Sequence, residues 1–239
     1  MSVSYYGPGD LSSGFVGFRV HVNFGGKPRQ HWYSTKKVGE QSDSNPYFRM
    51  DNLRAQVKDA ELLAESALYQ YTVFTTQNHP TANPYRGVGV HALTMDIKEA
   101  SKRYRGKERW EPMFNVWWSE NGKRRHRAFT FYNYLYSEAW REAVLLWGNV
   151  HEILQKDIDR LLENPPSPER FKELRRHLNE NHDSEVHELI PVSALSPVFR
   201  ETRENLARES ANTAHQVDAG VAVAHQDIAA WFERETGAQ

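Results

Sequence analysis

Apolar and polar residues alternate along two separate stretches of the chain. Every second residue is apolar from Phe18 to Val22, and the same holds from Phe114 to Trp118. A period of two predicts, at each place, a β-strand with one apolar and one polar face. Gly25-Gly26 follows the first stretch and Asn121-Gly122 the second, and such pairs favour the positive φ angles of tight hairpin turns. Both stretches are therefore predicted to open a β-hairpin.

The two hairpins belong to an internal repeat with a constant offset of 96 residues. The matched pairs are Phe18 with Phe114, Val20 with Val116, Gly26-Lys27 with Gly122-Lys123, Arg29 with Arg125, and Tyr33-Ser34 with Phe129-Thr130. A register that holds across both strands and the turn between them indicates two copies of one structural unit.

A helical pattern follows each hairpin. The first apolar stripe consists of Leu53, Val57, Ala60, Leu63 or Ala64, Ala67 and Tyr71. The second consists of Trp140, Ala143, Val144, Trp147 and Val150, with Ser137 as the expected N-cap. Because a hairpin with one apolar face is not stable alone in water, each helix is expected to cover the hairpin before it. Five tryptophans are expected in the cores: Trp32, Trp110, Trp118, Trp140 and Trp147.

These patterns predict an α+β protein with two small modules of a three-stranded antiparallel sheet plus a helix, followed by an α-helical C-terminal region. The expected boundaries are 1–79 for the first module, 80–154 for the second and 155–239 for the helical region. A partial apolar stripe from Val198 to Trp231 predicts a homodimer formed through the C-terminal helices.

The second module resembles the AP2/ERF family of DNA-binding domains, which also occurs as modules in phage and mobile-element proteins. The resemblance is carried, in order, by Tyr85-Arg86-Gly87-Val88, Trp110, the Phe114–Trp118 strand, the Asn121-Gly122-Lys123 turn, Phe129-Thr130 and an alanine-containing helix. It covers about residues 85–150 and, in a divergent copy, about 14–71. Residues 91–109 are an insert relative to the family, and the first copy has only Gly14–Gly17 in place of the opening strand. The resemblance implies a sheet whose exposed face lies in the DNA major groove.

Candidate DNA-binding residues fall into two sets. The outward-facing set on the strands is Arg19, His21, Asn23, Asn115 and Trp117, and arginine and asparagine can read guanine and adenine through paired hydrogen bonds. The set at or after the turns is Lys27, Arg29, Lys123, Arg124, Arg125 and Arg127, which suits phosphate contacts. Arg86 matches the family's strand arginine. The alternative is that the turn charges are merely solvated and that Trp117 packs between domains.

Charge separates the two halves of the chain. Residues 1–150 carry 20 Lys+Arg and 14 Asp+Glu, a net charge of +6, whereas residues 151–239 carry 10 and 17, a net charge of −7. Part of the basic cluster lies at 102–109, where an additional phosphate-binding loop is expected. A basic front and an acidic rear favour different roles for the two halves.

Other chemistry is not expected. The chain has no cysteine, which excludes disulfides and thiolate metal sites. His177, His182 and His187 share no helical face that would bind a metal, and no catalytic motif is visible, so neither a cofactor nor an enzyme activity is expected. No signal peptide and no apolar run of membrane-spanning length are apparent, which favours a cytoplasmic, nucleoid-associated location.

The leading hypothesis is therefore a protein that binds double-stranded DNA with full or partial sequence specificity, as a transcriptional regulator of bacterial or phage type. Two alternatives stay open. One is a phage or mobile-element protein that binds and inhibits a host protein, with the modules as scaffold. The other is an RNA-binding protein that uses Trp117 as a stacking platform.

Overall fold

A computed structural model of the chain describes residues 2–79, 85–99, 110–181 and 189–211 together with Gln226. It confirms the expected α+β class, with two three-stranded antiparallel sheets. The chain divides into two compact units, one formed by residues 1–79 and 89–91 and the other by residues 80–88 and 92–239.

The first unit consists of one sheet and one long helix. Its strands, in sheet order, are β1 (Val3–Tyr6), β2 (Gly17–Phe24) and β3 (Lys27–Ser34), and its helix is α1 (Pro46–Thr76). The Asn45 side chain caps α1 by accepting a hydrogen bond from the Tyr47 backbone N–H, and Pro46 occupies the first turn, where no N–H is needed.

The second unit adds further helices to the same plan. Its strands, in sheet order, are β4 (Leu93–Glu99), β5 (Trp110–Glu120) and β6 (Lys123–Thr130), and its helices are α2 (Tyr136–Val150), α3 (Gln155–Glu163) and α4 (Arg170–Glu180), with a 3₁₀ helix at Val192–Leu195. From the sequence, a separate helical region was expected to begin at residue 155. In the structure, Phe171 of α4 packs on Phe114 of β5, with ring centroids 5.9 Å apart, so α4 shares the core of the second sheet.

The repeat in the hairpins is present in the strand register. Phe18 pairs with Tyr33 in the first hairpin and Phe114 pairs with Phe129 in the second, which preserves the offset of 96 on both strands. Both turns have positive φ angles at two successive residues, 63° and 71° at Gly25-Gly26 and 52° and 72° at Asn121-Gly122. The prediction from alternation and turn chemistry is confirmed.

The outer strands differ from expectation in both copies. In the first, β1 comes from Val3–Tyr6 rather than from Gly14–Gly17. In the second, β4 lies within the segment taken as an insert, and Tyr85–Val88 contributes one isolated bridge, from Gly87 to Thr94. The reason is apolar pairing, because these strands place Val3 beside Val20 and Leu93 beside Val116.

The apolar stripe predicted for α1 is wrong. Leu53 and Val57 are 61% and 60% exposed, whereas the face toward the sheet carries Phe48, Ala55 and Leu62. Phe48 fixes this rotation because its ring packs 5.2 Å from the ring of Phe18. The buried face also carries a carboxylate, Asp59, which accepts a hydrogen bond from the Ser2 hydroxyl. Because the buried face includes a carboxylate, hydrophobic periodicity alone favoured the exposed side, which carries Leu53 and Val57.

The stripe predicted for α2 is largely confirmed. Trp140, Ala143, Val144 and Trp147 are buried, and Val150 is half-buried. Ser137 is not the N-cap. The helix is capped at Leu135, whose backbone N–H donates to the Glu138 carboxylate at 2.9 Å. Glutamate in the first turn also interacts favourably with the helix dipole.

The expected burial of the five tryptophans and of the C-terminal apolar stripe is confirmed only in part. Trp140 and Trp147 are core residues, Trp110 and Trp118 are half-buried, and Trp32 is 44% exposed, which contradicts its expected burial. In the predicted C-terminal stripe, Val198 is buried and Leu206 is 57% exposed. The members of that stripe from Ala214 to Trp231 lie outside the described residues.

The rotation of α1 can be tested with two neighbouring leucines. Leu62 is 3% exposed and Leu63 is 48% exposed. We expect Leu62→Ala to lower the free energy of unfolding by about 2–5 kcal/mol, because it leaves a cavity in the core. Leu63→Ala should change it by less than about 0.5 kcal/mol. Urea unfolding at low protein concentration measures both, and equal losses would contradict the assigned rotation.

Candidate nucleic-acid interface

The clearest concentration of exposed charge lies on β6, an edge strand. Its first five residues, Lys123, Arg124, Arg125, His126 and Arg127, are all exposed. In the register, Arg124 lies opposite Ser119, and His126 lies opposite Trp117. These two side chains share one face of the sheet with Trp117, and Lys123, Arg125 and Arg127 belong to the other face. The strand thus presents cations on both sides.

Trp117 organises the face of the second sheet opposite the helices. Its ring stacks on His126, with centroids 4.6 Å apart and an interplanar angle of 25°. The Arg124 guanidinium lies 4.2 Å from the ring centroid, and the Lys98 ammonium lies 5.6 Å away. Each cation gains from the negative face of the indole. The half-buried Trp117 therefore holds positive side chains in fixed positions at the sheet surface.

Two residues at the centre of this face, Met113 and Asn115, are buried. Lys98 pairs with Glu111 in the register, and its ammonium lies 5.6 Å from the ring centroid of Trp117. Met113 and Asn115 lie between Glu111 and Trp117 on the same face of the sheet. Met113 is 5% exposed and Asn115 is 1% exposed.

Asn115 lies on the same face as Trp117, as predicted, but the prediction that its side chain is exposed is wrong, because the side chain is buried. Among the described residues, neither its amide nitrogen nor its amide oxygen has a hydrogen-bond partner. A covered amide is not accessible for reading a base, and an unpaired buried amide destabilises the fold. Alternation predicts the face on which a residue lies, but not whether the rest of the chain covers that face.

Arg86 is engaged within the protein. Its guanidinium lies 3.1 Å from the carboxylate of Asp96, which also pairs with Lys98 at 3.4 Å. Asp96 is 4% exposed, so Arg86 and Lys98 neutralise a buried carboxylate. The backbone carbonyl of Arg86 accepts a hydrogen bond from the Met95 N–H at 2.7 Å, which ties this segment to β4. Arg86 is thus positioned as an ion-pair partner of Asp96.

On the helix-side face of β6, the three cations have different surroundings. Arg125 pairs with Glu120 across the hairpin at 3.2 Å, and both side chains are more than half exposed. Arg127 lies 5.1 Å from the ring centroid of Phe129. Lys123 forms no ion pair among the described residues. Arg127 and Lys123 are therefore available to an external anion without first breaking an ion pair within this part of the chain.

The first sheet also has an arginine that lies against a tryptophan ring. The Arg19 guanidinium lies 5.0 Å from the ring centroid of Trp32 and donates to the Gln30 side chain at 3.1 Å. His21 is half-buried and Asn23 is exposed on the same face. The register thus places Arg19, His21 and Asn23 together, as the sequence predicted. The Arg–Trp stack, with the indole on the neighbouring strand, was not predicted.

Lys27 and Arg29 do not lie with that group. Arg29 pairs with Val22, a residue of the apolar face, and its guanidinium lies 5.5 Å from the ring centroid of Phe24. Lys27 pairs with Phe24 on the same side. Both side chains are exposed, so they form a separate basic edge beside α1.

The histidines do not form a metal site in the described part of the chain. No group of three histidine, aspartate or glutamate side chains is placed to hold a metal ion there. His177 instead stacks on Tyr85, with ring centroids 4.2 Å apart, and His182 and His187 lie outside the described residues. The basic cluster at 102–109 lies outside them as well. Within the same limits, no helix is both long enough and apolar enough to cross a membrane.

Comparisons with protein-family models, curated proteins and solved structures gave no match to this chain.

The unpaired amide of Asn115 leads to a stability prediction. We expect Asn115→Leu to raise the free energy of unfolding by about 1–3 kcal/mol, because an apolar side chain of similar size removes the desolvation penalty of the amide. Asn149→Leu, at an exposed position of α2, is the matched control and should change the value by less than about 0.5 kcal/mol. A loss of stability in Asn115→Leu, measured by urea unfolding, would contradict the buried and unpaired state of this amide.

A second prediction concerns His151, which supports the Trp117 strand. Its Nε2 donates to the Trp117 carbonyl at 2.9 Å, and burial lowers the pKa of His151, although this hydrogen bond opposes the shift. The unfolded state, with a histidine pKa near 6.5, takes up the proton first as the pH falls. The contribution of neutral His151 is therefore present above about pH 6.5 and lost below it as the pH approaches the lower folded pKa.

We expect His151→Gln, which keeps a side-chain donor but does not titrate, to lose less stability than the parent between pH 7 and pH 5. Some dependence should persist, because burial also lowers the pKa of His91. Thermal unfolding over this pH range measures the difference. Parallel curves for parent and variant would show that His151 does not contribute.

Proposed function

We propose that this chain binds double-stranded DNA through the β5–β6 hairpin and the adjoining face of the second sheet. The observation that carries the proposal is the row of exposed residues from Lys123 to Arg127 on the edge strand. Four of the five are permanently charged, and phosphate neutralisation by lysine and arginine supplies most non-specific affinity for DNA.

The shape of the hairpin fits a duplex. The major groove of B-form DNA is about 12 Å wide and admits a two-stranded β-ribbon. In the proposed arrangement, the face with Trp117, Arg124 and His126 is directed to the base edges. The cations of the other face, Lys123 and Arg127, reach the phosphates at the groove wall. This division follows from the alternation of the strand.

The surroundings of Trp117 favour a duplex over single-stranded RNA. Single-strand recognition uses aromatic rings whose faces are free to stack on bases. Here Arg124 and His126 already lie against the indole of Trp117, and the ring is half-buried. An arginine held in this way is suited to a directed contact with a base edge or phosphate, because less conformational freedom is lost when it binds.

The resemblance to AP2/ERF domains supports the same proposal, since that family presents the exposed face of a three-stranded sheet to the major groove. In the first module, Arg19, His21 and Asn23 offer a weaker version of this surface. Arg86 enters the proposal only as the partner that keeps Asp96 neutralised beneath the surface. A role in transcriptional regulation is part of this proposal.

The proposal predicts the salt dependence of binding. We expect the double variant Lys123→Ala/Arg127→Ala to bind all duplexes more weakly and to reduce the slope of log K against log salt by about 1.8, which is about 0.9 for each lost phosphate contact. Electrophoretic mobility shift or fluorescence anisotropy titrations at several salt concentrations measure both quantities. Lys36→Ala/Lys37→Ala, at two exposed positions after β3, is the matched control and should bind like the parent.

A substitution at Glu120 is expected to increase DNA affinity rather than decrease it. Glu120→Gln releases Arg125 from its ion pair, so we expect tighter binding to DNA and a salt slope that is steeper by about one phosphate contact.

Lysine and arginine on an edge strand also prevent pairing with other strands, and that role alone would explain the charges. It predicts no change in DNA affinity for any of these variants. A folded Lys123→Ala/Arg127→Ala protein with unchanged affinity and slope would remove this surface from the proposal and leave protein binding as the leading function.

A further inference from the structure

Helix α1 carries a second apolar stripe on the side away from the sheet. We call it the outer stripe, and its members are Met50, Leu53, Val57, Ala60, Ala64 and Ala67. All six are exposed, and Met50, Leu53 and Val57 are 41%, 61% and 60% exposed. Their spacing alternates between three and four residues, which places them at positions a and d of a heptad repeat. This is the pattern of a helix that packs against another helix.

The two stripes lie on different sides of the helix. The buried residues Ala55, Asp59 and Leu62 occupy heptad positions c and f, opposite the a and d positions. The sheet therefore covers one side of α1 and leaves the outer stripe uncovered by the sheet. The helix has 31 residues, about 46 Å in length, which is enough for several turns of contact with a second helix.

The sizes of the side chains favour one antiparallel register with an identical helix. The large members of the outer stripe lie in its first half and the alanines in its second half. An antiparallel partner in this register places Met50 opposite Ala67, Leu53 opposite Ala64 and Val57 opposite Ala60. Each layer then combines one large and one small residue, as well-packed interfaces do. A parallel partner would place alanine on alanine in half of the layers.

The charges beside the outer stripe agree with the same register. Arg54 and Glu61 are both at position e, and positions e face each other in an antiparallel pair. In this register each Arg54 lies near Glu61 of the second copy, and the two-fold symmetry forms the ion pair twice. A parallel pair would instead bring Arg49 of one copy near Arg54 of the other. In the single chain, Arg54 pairs with Asp51 and Glu61 with Lys58, both within α1.

We propose that the outer stripe is a self-association surface, and that two copies of this chain pair through α1 in this antiparallel register. The pairing also covers a groove of about 590 Å³ beside the stripe, which is lined by His31 and Tyr33 of β3 and by α1 residues that include Met50 and Leu53. This proposal does not depend on DNA binding. It places the dimer contact in the first unit rather than in the C-terminal region that the sequence suggested.

The first test is the mass of the full chain in solution. Light scattering at high micromolar concentration should give twice the mass of one chain. Leu53→Glu/Val57→Glu should give a monomer with unchanged circular dichroism, because both positions are exposed in the single chain. Leu206→Glu, exposed on the helical segment at 200–211, is the matched control and should remain a dimer. A monomeric parent, or a dimer lost only in Leu206→Glu, would overturn the proposal. A monomeric parent would also point to a different protein as the occupant of the stripe.

The second test addresses the register. Arg54→Glu and Glu61→Arg should each weaken the dimer by roughly two- to thirtyfold, through the loss of two ion pairs. The double variant Arg54→Glu/Glu61→Arg should restore association, although it does not restore the pairs within each helix. No rescue would contradict the antiparallel arrangement.

Cysteine crosslinking gives an independent measurement, since the chain has no native cysteine. An oxidised mixture of Val57→Cys and Ala60→Cys chains should form the mixed covalent dimer. Crosslinks only between identical variants would indicate a parallel pair and overturn the proposed register.

Discussion

Each sheet has one apolar face that must be covered, and the rest of the structure depends on how this is done. In the second unit the constraint is clearest at Phe114, which is fully buried at the centre of β5. Its ring lies 5.2 Å from Trp140 of α2 and 5.9 Å from Phe171 of α4. The opposite face of this sheet carries Asp96, Met113 and Asn115, which are buried, and Trp117, which is half-buried.

The face that carries Trp117 shows how a small sheet can hold charge at its surface. Asp96 is buried there and would be costly if it were alone, but Arg86 and Lys98 neutralise it. Lys98 then extends to Trp117, and Trp117 holds Arg124. The cations are therefore fixed by a chain of contacts that begins at a buried carboxylate. The buried amide of Asn115, which has no hydrogen-bond partner among the described residues, lies on the same face.

The sequence was informative wherever local rules decide the structure. The hairpins followed from period-two alternation and from Gly25-Gly26 and Asn121-Gly122, which determine turn and register within a few residues. The outer strands β1 and β4 were missed because their pairing depends on partners distant in the sequence. An opening strand was sought in Gly14–Gly17 and at Tyr85 by analogy, whereas apolar cross-strand contacts selected Val3–Tyr6 and Leu93–Glu99.

The site residues were harder to predict for a related reason. Alternation correctly placed Arg19 and Trp117 on the faces opposite the apolar ones. It does not indicate whether the rest of the chain covers such a face, and so Asn115 was expected to be exposed. One ion pair joins Arg86, in the segment before β4, to Asp96 of β4, and the other joins Arg125 of β6 to Glu120 of β5. A single sequence offers no signal for such pairs beyond the presence of both charges.

The sheet-facing side of helix α1 was predicted wrongly because the helix has more than one apolar stripe. Of its two apolar stripes, the exposed one is the more hydrophobic and includes Leu53 and Val57. The sheet-facing side includes Asp59 and Ser66, which hydrophobic periodicity counts against burial. A surface helix of a single chain would not need a second stripe with large residues in one half and alanines in the other. That distribution is explained if the helix has to pack on two sides, once against its own sheet and once against a second α1.

The overall charge gives self-association a consequence for the proposed function. The chain has a net charge of −1, so long-range attraction to a polyanion is weak and the β6 cations must act at short range, within a Debye length of about 8 Å at physiological salt. One hairpin with a few phosphate contacts then gives modest affinity. Two hairpins joined through α1 would bind as a linked pair, because the second contact forms at the high effective concentration set by the first. A pair of identical helices on the side of α1 away from the sheet meets this need without adding charge to the chain.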